Sequence, residues 1–180
     1  VKQKFYIDTH KGLTAVVVIA LIATYQQWEN ATAWVYVALH GTYGILWVLK
    51  SNLFPDKIWE RKIGLGFGLI NWGGLTLYWI TPWLINSNGV QAPAWYLAIC
   101  ISLYTLGVFL HFSTDMQKYT SLKLRPNKLI RTGLMRRNRN LNYFGELLIY
   151  LGFGLLAMHW LPILILGLFI AVIWIPNMLR

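Results

Sequence analysis

With 57% apolar and only 12% charged side chains over 180 residues, and a mean hydropathy of +0.48, the chain falls far below the roughly 25% charged composition of a soluble domain. Lipid is the solvent that this composition suits, and a bundle of about six short helices uses nearly all of the length, leaving no room for a second soluble domain. The net charge of +10 does not indicate nucleic acid, because the cations sit between long apolar runs and form no soluble unit of their own.

In chain order, Lys2, Lys4 and Lys11 precede the first apolar segment, Gly12 to Trp28. No small-residue cleavage site follows between Ala23 and Trp28, so this stretch is expected to be a retained helix rather than a signal peptide. Ala31 to Leu49 forms a second segment and carries His40 and Tyr43, three apart. These two could present hydrogen-bond donors to one cavity, or be buried polar groups satisfied by a neighbouring helix.

Between the second and third segments lie Lys50, Lys57, Arg61 and Lys62, together with Pro55 and Trp59. The mixture reads either as a short interfacial helix or as a solvated turn anchored by Trp59. The third segment, Ile63 to Ile85, contains Gly64, Gly66, Gly68, Gly73, Gly74 and Tyr78, and its glycines are expected to admit close helix packing. The fourth, Ala92 to Phe112, holds Cys100, which as a lone cysteine can form no intrachain disulfide; no metal site is expected.

The polar stretch Ser113 to Asn142 is too long for a simple connector. Its eight cations, among them Lys118, Arg131, Arg136 and Arg139, face the single anion Asp115. Such a field suits a ligand with several phosphates, though anionic lipid headgroups would satisfy it as well. The last two segments, Tyr143 to His159 and Leu161 to Pro176, are separated only by residues around His159 and Trp160 and should form a tight hairpin.

Glu146 stands at the start of the fifth segment, where an ionised carboxylate facing lipid is costly. It either faces the bundle interior, on one helical face with Asn142, or pairs with Arg136 or Arg139 at the interface. Gly145 between them could admit a planar ligand to the backbone. His10 and His159 read as interfacial residues, and many of the Trp lie near segment ends, as in an aromatic belt.

All sixteen Lys and Arg, including Arg180, fall at the termini or in alternate connections. The connections near Glu29, Asn88 and His159 carry none. This segregation predicts an all-α polytopic bundle of about six transmembrane helices with both termini and the basic loops cytoplasmic.

Two motifs carry a family resemblance. Asn142-Tyr143-Phe144-Gly145-Glu146, preceded by Thr132-Gly133-Leu134 and an arginine run, resembles the NYxGE signature of the steroid 5-alpha-reductase C-terminal domain family. His111-Phe-Ser-Thr-Asp115-Met-Gln117-Lys118 resembles the segment which that family places upstream. Residues 110–156 are therefore the expected cofactor-binding segment. The family commonly reads R-H-P-N-Y where this chain has Arg139-Asn140-Leu141-Asn142-Tyr143, and relatives carry a basic, Tyr-containing tail beyond the last helix.

The resemblance implies hydride transfer from NADPH to a carbon-carbon double bond of a lipophilic substrate drawn from the bilayer. It implies that Asp115, Gln117 and Lys118 hold the cofactor from the end of the fourth segment, that Arg131, Arg136 and Arg139 take its phosphates, and that Asn142, Tyr143 and Glu146 meet the nicotinamide; by its chemistry His111 could join them. No motif match carries over the family's substrate-polarising acid; by side-chain chemistry His40 and Tyr43, with Glu146, are the expected catalytic set. The alternatives are an S-adenosylmethionine-dependent membrane methyltransferase, since isoprenylcysteine methyltransferases resemble the same C-terminal architecture, and a non-enzymatic lipid-binding scaffold.

Overall fold

The computed structural model describes residues 1–126 and 128–179; the expected terminal cation Arg180 lies outside them. Among the described residues there is no strand beyond an isolated bridge between Lys2 and Lys62. Helix α1 spans Gln3–Thr24 and α2 Ala31–Leu53, the latter carrying a π turn at Val37–Gly41. α3 (Leu65–Thr76) and α4 (Ile80–Ser87) follow, joined by a 3₁₀ turn at Leu77–Trp79. α5 covers Ala94–Leu124, α6 Leu141–Ala157 and α7 Trp160–Leu179.

Four of these, α1, α2, α5 and α7, are long and apolar enough to cross a membrane, which makes the chain an integral membrane protein. Residues 65–87 are interrupted, and α6, Leu141–Ala157, is a shorter apolar helix than these four.

α5 continues three turns past the expected end at Phe112, reaching Leu124 before Arg125 and Pro126 stop it. Asp115, Gln117 and Lys118 therefore sit within a helix and not at its end. Residues 55–61 form a turn rather than an interfacial helix: the Trp59 N–H donates to Asp56 O at 3.1 Å, and Trp59 packs on the core.

The closest packing joins α5 to α6. A Cβ at Gly107 would meet Gly145 O and Ile149 N at 2.7 Å, one at Gly145 would collide with the His111 backbone, and one at Gly152 would meet Tyr104 Cβ at 2.8 Å. Gly145 is thus filled by α5 itself and offers no opening to a planar ligand. Gly68 receives the Tyr6 ring, but Gly64, Gly66, Gly73 and Gly74 face open space, so only one glycine of that group packs as expected.

α6 and α7 form an antiparallel hairpin. Met158 turns through left-handed geometry at φ 48°, and His159 Nδ1 accepts from the Leu161 N–H at 3.1 Å to cap α7. At the far end Arg139 donates to Met178 O at 2.8 Å.

The polar ends of the helices meet on one face. The Gln3 and Lys4 N–H groups donate to Arg61 O and Trp59 O at 2.9 Å, and Glu60 bridges Lys2 and Lys4, both at 2.6 Å. Lys118 reaches Asp56 at 3.2 Å.

Candidate functional site

Glu146 points into the bundle. The Tyr43 hydroxyl of α2 donates to Glu146 Oε1 at 3.1 Å, and no ion pair joins Glu146 to Arg136 or Arg139 among the described residues. Since α6 rises 1.5 Å per residue, Glu146 lies about 7.5 Å along it from Leu141, below the polar end.

The group facing this carboxylate comes from α1. Lys11 is only 4% exposed, and its ammonium donates to Tyr43 Oη at 3.0 Å and to Tyr150 Oη at 3.3 Å. It also lies 4.1 Å from the Tyr43 ring centroid and 4.0 Å from that of Trp47. Two phenol oxygens and two aromatic faces replace the water that a buried ammonium loses. The expectation that Lys11 is a loop cation is corrected: it lies on the same helical face as Lys4 and Asp8, turned inward by the α1–α2 packing.

Lys50 is the second such correction. It is 5% exposed and ion-paired with Asp115, itself 9% exposed. His111 stands beside this pair, its Nε2 3.6 Å from Asp115 Oδ2 and its Nδ1 3.0 Å from Asn142 O. A chain of contacts so runs from α2 through α5 to the first turn of α6.

His40 and Tyr43 share the interior, with ring centroids 6.4 Å apart. His40 is engaged, however: the Tyr36 hydroxyl lies 2.6 Å from its Nδ1, and its ring stacks on Phe153 at 4.1 Å. Tyr78 is buried against Tyr150 and Phe169. His10 is not interfacial but buried, stacked on Trp79 at 4.4 Å, whereas His159 is exposed.

The basic connection is tied to α5 by Gln117. Its amide donates to Thr132 O at 2.7 Å and accepts from the Leu134 N–H at 3.0 Å, clasping Gly133, whose φ of 58° suits glycine. Met135 is buried beneath this loop. Arg131, Arg136 and Arg139 are exposed, and none forms an ion pair among the described residues. Asn142 and Tyr143 are half-buried at the start of α6, with Tyr143 against Trp174 at 5.9 Å.

The expected residues therefore separate by role. Asp115 and Gln117 are committed to internal partners and shape the walls. Arg131 and Arg136 are exposed on the basic connection and Asn142, Tyr143 and Glu146 follow it in the first turns of α6, while Lys118 makes an exposed ion pair to Asp56 that contributes only ~0–1 kcal/mol. Lys11, Lys50 and Tyr150 escaped the sequence reading. The one available signal was helical spacing, which places Lys4, Asp8 and Lys11 on one face of α1.

The family model described as "Protein of unknown function (DUF1295)" matches residues 73–179. No curated protein and no solved structure matches the chain.

Proposed function

We propose, for a chain that belongs to the DUF1295 family within the steroid 5-alpha-reductase-like membrane proteins, that it is a membrane oxidoreductase acting on a carbon-carbon double bond of a lipophilic substrate. The observation that carries this reading is the inward Glu146, hydrogen-bonded by Tyr43 and one to two helical turns from the basic connection.

The residues present fit NADPH. Exposed Arg131 and Arg136, with Lys118 able to leave its solvent-exposed partner, supply cations for phosphates at the aqueous end. Asn142, Tyr143 and Glu146 follow in the first turns of α6, and His111 Nε2 is a buried polar atom without a hydrogen-bond partner. Bound there, NADPH supplies a hydride. The chain's own residues do the rest: the Tyr43 hydroxyl, held by Glu146 in the resting site, turns from it to pass its proton to the substrate, and the surrounding aromatic side chains exclude water.

Six membrane crossings with both termini and the basic loops cytoplasmic complete the proposal. An apolar substrate then enters laterally from the bilayer while the cofactor arrives from water.

A thermal-shift titration of the purified protein with NADPH and with S-adenosylmethionine tests it. Stabilisation of about 2.7 kcal/mol is expected at NADPH a hundredfold above its dissociation constant. Stabilisation by S-adenosylmethionine alone would assign the site to methyl transfer, and stabilisation by neither would leave a lipid-binding scaffold.

A further inference from the structure

A saturated product needs a proton as well as a hydride, and the Tyr43 hydroxyl lies in the bundle interior. We propose that the packed face between α1 and α2 is a proton path from the aqueous end to Tyr43, with Asp8 and Lys11 as its relay residues. This deepens the reductase reading and rests on it.

Direct contacts supply the two ends of the path. Lys4, bridged to Glu60 at the surface, donates to Ser51 O at 3.4 Å. Ser51 Oγ donates to Asp8 Oδ2 at 2.6 Å. Lys11 follows one helical turn along α1, on the same face, and donates to Tyr43 Oη, which donates to Glu146.

Two further features mark where water enters it. Asp8 Oδ1 is buried with no hydrogen-bond partner, which is costly unless a water supplies one. Beside Ser51, at the outer end of the path, a cavity of about 10 Å³ is lined by Lys4, Trp47, Lys50, Ser51 and Glu60 among others, about the space of one water molecule; the step from Asp8 to Lys11 lies beyond it.

The step balances. With NADPH bound, its hydride would form the C–H bond at one alkene carbon, and the electron pair of the broken π bond would take the Tyr43 proton at the other. The Lys11 ammonium returns a proton to Tyr43, and Lys11 recovers one through Asp8 and water. The net consumption is one NADPH and one proton per double bond.

Hydroxyl-radical footprinting of the protein in lipid nanodiscs reads the path without turnover. Trp47 and Trp174 are both 7% exposed, but only Trp47 adjoins the proposed water. Internal water should make Trp47 oxidise about fivefold faster or more, and Asp8→Leu should abolish the difference. Equal, slow oxidation of both tryptophans in the wild-type protein would overturn the path.

The kinetic arm follows NADPH oxidation with progesterone as the enone probe. Lys11→Met and Asp8→Asn should lower kcat about a hundredfold with unchanged NADPH affinity and a larger solvent deuterium isotope effect, and methylammonium should partly rescue Lys11→Ala. Variants with wild-type kcat and isotope effect would overturn the relay. No oxidation by the wild-type protein would remove the reductase reading and proton delivery together, an outcome the footprint separates from failure of the water path.

Discussion

Two buried lysines govern the interior of this protein, and their partners differ in kind. Lys50 is neutralised by Asp115; Lys11 is solvated by phenols and rings, with Glu146 one hydrogen bond further on. Removing one member of a buried ion pair leaves the other uncompensated, so Lys50→Met should cost about 3–5 kcal/mol. Lys50→Met with Asp115→Leu should recover most of that loss, as measured by a double-mutant cycle of thermal stability in detergent.

At the proposed cofactor site, Glu146→Gln should weaken NADPH binding at least as much as any single change, about tenfold. The exposed Lys118 should matter less, with Lys118→Ala costing about threefold. Equilibrium titration of both variants checks the order, and unchanged affinity in both would remove the proposed site.

Between elements, α5 and α6 approach so closely that their glycines are structural requirements. Gly145→Ala drives a Cβ into the α5 backbone, which cannot rotate aside as a side chain would, and should destabilise by about 1–3 kcal/mol. Gly73→Ala, in open space on a helix, should stabilise by about 0.5–1 kcal/mol through helix propensity. Melting temperatures of the two variants should therefore move in opposite directions.

The clamp between residues 1–4 and the turn at 55–61 adds a pH dependence. Hydrogen bonds from Lys2 and Lys4 hold the Glu60 carboxyl below its ordinary range. Its folded-state pKa is depressed, so its stabilising effect is complete above the ordinary carboxylate range and is lost as pH falls through the lowered value. Limited proteolysis should cut near Lys2 and Lys4 faster after acidification, and Glu60→Gln should cut as fast at neutral pH.

For the whole molecule, the N-terminal segment, the turn at 55–61, the end of α5 and the last turn of α7 lie together at one polar end. If that end is cytoplasmic, single cysteines at positions 3, 57 and 137 in a Cys100→Ala background should all resist an impermeant thiol reagent in intact cells and react after permeabilisation. One placed at position 88 should react at once. Labelling at position 57 without labelling at 137 would contradict the shared face.

The sequence by itself determined the lipid-suited composition, the positions of the apolar segments and the α6–α7 hairpin, because hydropathy and the short link at His159 are local properties. Its motif also marked Glu146, since a carboxylate at the mouth of an apolar run has few inexpensive environments. Only the tertiary structure decided that Lys11 and Lys50 leave the basic face for the interior, that α5 and not a ligand fills the space at Gly145, and that His10 stacks on Trp79. Each depends on which helix lies opposite, and the same lysine reads as a topological cation or a buried relay according to the rings and carboxylates that distant segments bring within about 3–4 Å.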